Sequence, residues 1–181
     1  MTGREGREVR EVTATRVLAA PADVVWPQVT DVRNHERWVP LTRIDAPDRP
    51  VRAGDRFTGV SGPTAARGGR GLRDVMVVER YDPPVAAHGR EPAREGVATF
   101  HKEGPVLLGD AEVRVRPLGP GHCEVTWVER VWLRGLPRAV GAPLAGAALA
   151  GMLHLVLRRV AADLAPHPAH PAREVLTPTR V

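Results

Sequence analysis

The sequence predicts one α+β domain that combines an antiparallel sheet of six to seven strands with a long C-terminal helix and two short helices after the first strand. Short segments with a period of two, separated by Gly and Pro, run from residue 56 to residue 133 and indicate the sheet. Apolar residues then recur at intervals of three and four, which is typical of a helix. A chain of 181 residues has the usual length of one domain with tails.

The chain opens with a predicted strand and a short helix. Val9–Leu18 mixes β-branched residues with charges in partial alternation, a strand pattern that stops before Pro21. Pro21 suits the first position of a helix because its missing N–H would be unpaired there, and Asp23 places a negative charge in the opening turn. We expect this helix to run through Val29 with a kink at Pro27.

A second short helical turn is predicted after the first. Asp31 and Asn34 are residue types that cap helix N-termini, so we expect them to begin this turn. The turn contains Trp38 and ends at Pro40, because proline stops a helix shortly after its last residue.

The middle of the chain consists of alternating apolar and polar residues between Gly- and Pro-rich breaks. Six short strands at this spacing, together with the first strand, predict an antiparallel meander. The predicted strands are Arg56–Ser61, Leu72–Tyr81, Val85–Gly89, Val97–Glu103, Leu107–Pro117 and His122–Leu133.

The segment Leu136–Ala165 predicts a helix whose first two-thirds has no polar face. One apolar stripe contains Leu149, Leu153, Val156, Val160 and Leu164, and the opposite side carries Leu144, Ala148, Met152 and Leu155. Such a helix is buried on two sides, lines an apolar cavity, or contacts a second copy or a membrane. Residues 139–157 are uncharged, but their glycines and alanines give a weak membrane-transfer free energy, which favours burial. The same small residues leave volume for a cavity or permit close packing in a homodimer.

The ends of the chain differ in composition from the domain between them. Residues 1–8 are predicted to be disordered, residues 9–165 to form the domain, and residues 166–181, with four prolines, to form a disordered tail. The charged N-terminus lacks the apolar core of a signal peptide, so we expect a cytoplasmic protein.

The charge of the chain is positive but dispersed. It carries 26 Lys and Arg against 21 Asp and Glu, a formal net charge of +5, with both signs interspersed. Mixed charge of this kind is typical of a solvated surface, so we expect no nucleic-acid partner. Lys102 is the only lysine, and so strong a preference for arginine is typical of a GC-rich bacterial genome.

The positions of the cysteine, histidine, glycine and serine residues argue against metal binding, nucleotide binding and serine-hydrolase chemistry. Cys123 is the only cysteine and falls in a strand where a small buried side chain fits. The histidines at 122, 154, 167 and 170 have no metal-ligand spacing, so we expect no metal and no cofactor. Gly68, Gly69 and Gly71 lack the setting of a nucleotide-binding loop, and Ser61, the only serine, lies outside any nucleophile-elbow motif.

Four short motifs occur in an order that resembles a known superfamily. They are Leu18-x-Ala-Pro-x-Asp-x-Val-Trp26 followed by Asp31, Trp38-x-Pro40, Val78-Glu-Arg-Tyr-Asp-Pro-Pro84, and Gly121-His-Cys-Glu-Val-Thr-Trp127. The similarity covers residues 9–165 and resembles the START and Bet v 1-like (SRPBCC) superfamily, particularly its polyketide cyclase/dehydrase branch. The resemblance implies a helix-grip fold, in which a curved sheet wraps around a long helix. It also implies a hydrophobic ligand between sheet and helix, since members transport lipids, bind sterols or quinones, or steer polyketide cyclisation.

Glu129 is the first candidate for chemistry in such a cavity. On the strand His122–Leu133, alternate side chains share one face, which places Glu129 with Cys123 and Trp127. If this face is inward, the Glu129 carboxyl has a raised pKa and can act as an acid or base or anchor a ligand hydroxyl. Alternatively Glu129 lies at the sheet end, exposed or paired with an arginine such as Arg130.

His101 is the second candidate, because imidazole titrates near neutrality. It lies on the predicted strand Val97–Glu103, whose inward face the pattern does not decide. A lone histidine on a strand is also commonly exposed or structural. With Glu129, His101 forms the one acid/base pair that the sequence offers.

The apolar side chains expected to bind a ligand come from most predicted elements. Aromatic residues supply large apolar area, although core packing is their alternative role. The expected ligand-binding residues are Trp38, Phe57, Met76, Phe100, Val113, Trp127, Leu144, Ala148 and Met152.

The sequence therefore predicts a protein that binds a hydrophobic small molecule, such as a lipid, a polyketide or an isoprenoid-like compound, between the sheet and the C-terminal helix. One alternative is a polyketide cyclase or aromatase that uses Glu129 or His101 in proton transfer, so the sequence leaves open whether the protein is an enzyme. A further alternative is peripheral membrane contact through residues 139–157 and the arginines that flank them.

Overall fold

The computed structural model describes residues 11–165, except for the side chains of residues 138–145 and 147. The elements are β1 (Glu11–Leu18), α1 (Ala22–Thr30), α2 (His35–Trp38), β2 (Thr42–Asp45), β3 (Arg56–Ser61), β4 (Leu72–Asp82), β5 (Gly96–Pro105), β6 (Leu107–Gly119), β7 (His122–Leu133) and α3 (Arg138–Asp163). One seven-stranded sheet has the order β1-β7-β6-β5-β4-β3-β2, and every neighbouring pair is antiparallel. The predicted α+β architecture is confirmed.

The strands differ from the prediction at two places. β2 was not predicted, because its four residues contain a single strongly apolar side chain, Ile44. The predicted strand Val85–Gly89 is wrong: this segment forms only isolated bridges, Val85 with Arg94 and His88 with Glu91. The double proline at 83–84 and Pro92 remove backbone donors from both sides, so no continuous ladder forms. The predicted disordered segments 1–8 and 166–181 lie outside the described residues.

The first helix packs its apolar face against β6 and β7. Val24 and Val25 both donate their backbone N–H groups to the Pro21 carbonyl, so Pro21 occupies the cap position immediately before the helix. Thr30 at the other end lies with its hydroxyl oxygen 3.0 Å from that of Tyr81 on β4, which ties the helix to the sheet.

The turn that follows has one of its two predicted caps. Asp31 Oδ1 accepts a hydrogen bond of 3.1 Å from the Arg33 backbone N–H, as expected of an N-cap. Asn34 was predicted as a cap but donates its side-chain N–H to the Gln28 carbonyl at 2.9 Å instead, so it holds the turn against α1.

The long helix lies across β1 and β7 and also contacts α2. Its predicted stripe is confirmed: Leu153, Val156 and Val160 are fully buried, and Leu149 and Leu164 pack at the border of the core. At its C-terminal end, Asp163 Oδ2 accepts a hydrogen bond of 3.1 Å from Trp38 Nε1. In the described part of the chain, no helix has the length and hydropathy required to cross a membrane.

Two irregularities in pairing bend the sheet near its centre. The register between β4 and β5 shifts between Val75 and Met76 and again between Val78 and Arg80. Bulges of this kind increase the local twist and curl a sheet. The curled sheet has a concave inner face, which is covered partly by α3 and partly by the short helices.

Candidate functional site

A cavity of about 90 Å³ lies on the concave face of the sheet. It lies near one end of the sheet. At this end β2, β4 and β6 begin, and β5 and β7 end. Its walls come from α2 and the residue after it, six strands and α3, namely His35, Val39, Thr42, Ile44, Phe57, Gly59, Asp74, Met76, Phe100, Lys102, Ala111, Trp127, Glu129 and Met152. Since a drug-sized ligand occupies roughly 300 to 1,000 Å³, the cavity as it stands holds a few waters or one end of a larger molecule.

The inward face of β5 carries Ala98, Phe100 and Lys102, all buried. His101 therefore lies on the outer face, where its Nδ1 is 2.8 Å from Asp110 Oδ1 on β6. The predicted pairing of His101 with Glu129 is wrong, because the two side chains lie on opposite faces of the sheet.

Glu129 lies on the inner face, with only 4% of its surface exposed. The same face of β7 carries Cys123, Val125 and Trp127, as the alternation of the strand predicts. The alternative position, at the sheet end beside an arginine, is wrong: Arg130 points outward and donates to Glu11 on β1.

Lys102 connects Glu129 to a second carboxylate. Its Nζ donates to Asp74 Oδ2 at 2.6 Å and lies 3.5 Å from Glu129 Oε2, an ion-pair distance but a poor hydrogen bond. Met76 Sδ lies 3.6 Å from Lys102 Nζ, on a third side of the ammonium group. The Lys102 and Glu129 side chains are 6% and 5% exposed, so this cluster is shielded from water.

The surroundings shift the pKa values of both residues. Burial raises the pKa of the Glu129 carboxyl; Lys102 opposes this shift and the negative charge of Asp74 adds to it. Burial disfavours the charged form of Lys102, but the two carboxylates outweigh this effect and raise the pKa of its ammonium group. Lys102 therefore stays charged at neutral pH.

Three polar atoms of the cavity lack hydrogen-bond partners. They are Asp74 Oδ1, Trp127 Nε1 and Glu129 Oε2, and the described residues contain just one other such buried atom, Trp26 Nε1. Burying a polar group without a partner costs roughly 1–3 kcal/mol, so such groups are rare and concentrate where water or a ligand completes them. Two acceptor oxygens and one N–H donor thus lack partners in a cavity whose remaining wall residues are mostly apolar.

His35 contributes a neutral imidazole to the same wall. Its Nε2 is 3.0 Å from the Val29 carbonyl, and since a carbonyl only accepts, Nε2 carries the proton. Burial lowers the pKa of this histidine. Its ring lies 5.0 Å from that of Trp127, so the histidine and the indole form one polar-edged aromatic surface.

The apolar part of the cavity is built around two phenylalanines. Phe57 on β3 and Phe100 on β5 meet edge to face, with ring centroids 5.7 Å apart. Met76 and Met152 add flexible thioethers from the sheet and from α3. Gly59 adds no side chain to the wall, and a Cβ built there would make ordinary van der Waals contacts with Ile44 and Met76 at 3.7 and 3.8 Å.

The expected ligand-binding residues divide into four groups. Phe57, Met76, Phe100, Trp127 and Met152 line the cavity together with Glu129. Trp38 and Val113 are buried in the core away from the cavity, because the first contacts the end of α3 and the second lies farther along β6. Ala148 is exposed, since the helix turns this position outward. The side chain of Leu144 lies outside the described part of the structure.

Sequence reasoning identified Glu129 but missed the other polar residues that define the site. Lys102 had a usable signal, since it is the only lysine of an arginine-rich chain and lies two positions after Phe100. Asp74 directly precedes the apolar run within β4, a position at which a charged residue is ordinary and indicates no functional role. His35 lies in a four-residue helix, where no periodicity indicates which side is inward.

A curled antiparallel sheet closed by a long helix, with a cavity on its concave face, defines a helix-grip domain of the START-like class. The chain belongs to the family described as polyketide cyclase/dehydrase and lipid transport, whose profile matches residues 9–165. No curated protein matches the sequence. In the described residues, no group of three or more His, Cys, Asp and Glu is arranged to hold a metal ion.

Solved structures support the same fold. The di-domain ARO/CYC protein BexL of the BE-7585A biosynthetic pathway is 21% identical with a TM-score of 0.59, over 85% of this chain and 46% of BexL. A START superfamily protein from Mycobacterium smegmatis is 15% identical with a TM-score of 0.59, over 84% and 95% of the two chains. The Zhui aromatase/cyclase from Streptomyces sp. R1128 is 20% identical with a TM-score of 0.51, over 86% and 88%. This chain thus spans about half the length of BexL.

Proposed function

We propose that this protein binds a hydrophobic small molecule that carries at least one hydrogen-bonding group, in the cavity between the sheet and α3. The observation that carries the proposal is the set of unpartnered polar atoms on Asp74, Trp127 and Glu129 in an apolar enclosure. A hydroxyl or carbonyl group placed among them would complete their hydrogen bonds, while the apolar body of the ligand packs on Phe57 and Phe100. The family description, which includes lipid transport, supports the same function.

Ligand binding at this site requires the cavity to expand. The volume of about 90 Å³ is below that of most ligand sites. Two of the side chains that line the cavity are methionines. Methionine is unbranched and changes rotamer at low cost, so Met76 and Met152 are the side chains that we expect to move. Met152 is the one described side chain of α3 in the cavity wall, so its displacement opens the cavity toward the helix.

Native purification followed by solvent extraction and mass spectrometry tests the proposal. We expect close to one apolar molecule per chain in the extract, and about tenfold lower occupancy for Gly59→Ala, because an added methyl group overlaps the ligand volume. Gly121→Ala is the matched control, since a Cβ there meets open space. An empty extract from folded protein, or equal loss in both variants, would count against the proposal.

The second candidate function is that of a polyketide cyclase or aromatase. The observation that favours it is the buried Glu129 carboxyl with its raised pKa beside Lys102, a pairing suited to proton transfer at a carbon next to a carbonyl. Two structural neighbours, BexL and Zhui, are described as aromatase/cyclase proteins.

Glu129→Gln separates binding from catalysis. The amide keeps the size of the side chain but cannot exchange a proton at neutral pH, so turnover of a poly-β-keto substrate should fall at least about 100-fold. Binding of the same substrate should change by less than about threefold, as judged by quenching of tryptophan fluorescence. Loss of binding in proportion to turnover would contradict the catalytic role and leave a binding role for Glu129.

Three further expectations from the sequence stay predictions. They are a cytoplasmic location, an origin in a bacterium, and contact of α3 with a membrane or a second copy of the chain.

A further inference from the structure

The cavity holds an unusual balance of charge for a site that contains a lysine. A lone buried lysine would attract the carboxylate of a fatty acid or a similar anion. Here Lys102 lies between Asp74 and Glu129, at 2.6 and 3.5 Å from their nearest oxygens. Among the described residues, the titratable groups in the cavity wall are these three and His35, so this part of the wall offers one cation and two carboxylates.

An incoming carboxylate finds no free cation in this wall. The nearest N–H of Lys102 is already used by Asp74 Oδ2, and a ligand anion beside Lys102 would lie within a few ångströms of that carboxylate as well. Like charges at such distances repel strongly where water is excluded. His35 does not offset the repulsion, because its one ring proton is used by the Val29 carbonyl.

The unpartnered atoms point to the opposite preference. Asp74 Oδ1 and Glu129 Oε2 are both oxygens of acidic side chains, and only one unpartnered atom of the wall, Trp127 Nε1, is a fixed donor. A hydroxyl group can donate to a carboxylate and accept from the Trp127 indole N–H at once. An ammonium group can donate to both acidic side chains, and the aromatic rings of the wall also favour a cation.

We infer that the cavity selects uncharged or cationic apolar molecules and excludes carboxylates, with Asp74 and Glu129 as the specificity-determining residues that saturate Lys102. The inference rests on the proposed function, since it names the chemical class of ligand for the same site.

Three ligands with one carbon skeleton test the inference on the full-length chain. Calorimetric titrations at pH 7 would compare 1-octanol, octylammonium and octanoate, which differ in charge but hardly in apolar surface. We expect octanol and octylammonium to bind at least about tenfold more tightly than octanoate. This comparison needs no variant, so it decides the question even if substitutions in the cluster impair folding.

Charge-removing variants then locate the selectivity. Asp74→Asn keeps the side-chain shape but frees the Lys102 ammonium, so the octanol-to-octanoate affinity ratio should fall at least about tenfold. The double variant Asp74→Asn/Glu129→Gln should bind octanoate as well as octanol or better. Asp110→Asn is the matched control, because Asp110 lies on the outer face of the sheet and contacts His101; it should leave the ratio unchanged.

Each result has a distinct meaning. Octanoate affinity equal to that of octanol in the unmodified protein would overturn the inference and leave the proposed binding function standing. An unchanged ratio in a folded Asp74→Asn variant would also overturn it, because the selectivity would then come from elsewhere. Failure of all three ligands to bind would overturn the proposed function, and the inference with it.

Discussion

Lys102→Met should destabilise the protein by about 3–5 kcal/mol at pH 7, the usual cost of removing one partner from a buried ion pair. The substitution leaves Asp74 and Glu129 facing each other in a cavity wall that holds no other charged cation. Urea unfolding followed by circular dichroism measures the loss as a shift in the transition midpoint.

The loss should depend on pH in a defined direction. The pKa of Glu129 is raised in the folded protein, so this residue contributes stability below its unfolded pKa, and that contribution is lost as pH rises through the folded pKa. Removing Lys102 takes away the interaction that lowers this pKa and moves it further upward. The stability deficit of Lys102→Met should therefore shrink as the pH is lowered and Glu129 takes up a proton.

A compensated variant provides the control for this prediction. Lys102→Met combined with Asp74→Asn and Glu129→Gln removes all three charges and should recover most of the lost stability, because no unpaired charge stays buried. A single Lys102→Met variant as stable as the unmodified protein at pH 7 would show that the cluster is hydrated rather than closed.

Leu153→Ala should destabilise the protein by about 2–5 kcal/mol, because a fully buried leucine is replaced and the gap left behind does not close. Leu153 lies on the face of α3 that packs against the sheet, one position beyond Met152 in the cavity wall. The same urea experiment measures the effect. It tests whether α3 is held firmly on β1 and β7.

Leu155→Ala is the matched control on the same helix. Leu155 is half-buried, so its truncation removes less contact and should cost about 1 kcal/mol. Equal losses for the two variants would contradict the orientation of α3. A smaller loss for Leu153→Ala than for Leu155→Ala would mean that the helix is rotated about its axis.

Most of the fold follows from local patterns in the sequence. β3 and β7 have the predicted bounds, and the apolar stripe of α3 is buried as predicted. Both predictions succeed because apolar residues that recur every second residue in a strand, or every three to four residues in a helix, mark the buried face. The prediction is wrong where this signal is weak. β2 has almost no apolar residues. Val85–Gly89 was predicted as a strand, but the nearby prolines prevent a continuous ladder with a neighbouring segment.

The apolar half of the site was predictable, whereas Glu129 was the only candidate from the polar half. Phe57, Phe100 and Trp127 are large apolar residues on strands, and such residues usually face the interior. Lys102 shares their face by simple alternation, but a charged residue on a strand is normally exposed or lies at an end, so the pattern argues against its burial. Only its two carboxylate partners make the buried position stable, and they come from β4 and β7.

The sequence alone predicts the order of most elements, the shared face of Glu129 and Trp127 on β7, and the family of the protein. These depend on the periodicity of neighbouring residues and on short motifs, both of which are local properties. The tertiary structure alone decided that His101 lies outside, and that Asp74 and Lys102 meet Glu129 around one cavity. Residues 74, 102 and 129 are far apart in the chain, and they meet because the register of β4, β5, β6 and β7 aligns them. That register comes from the summed pairing and packing of the whole sheet, so no local pattern reveals it.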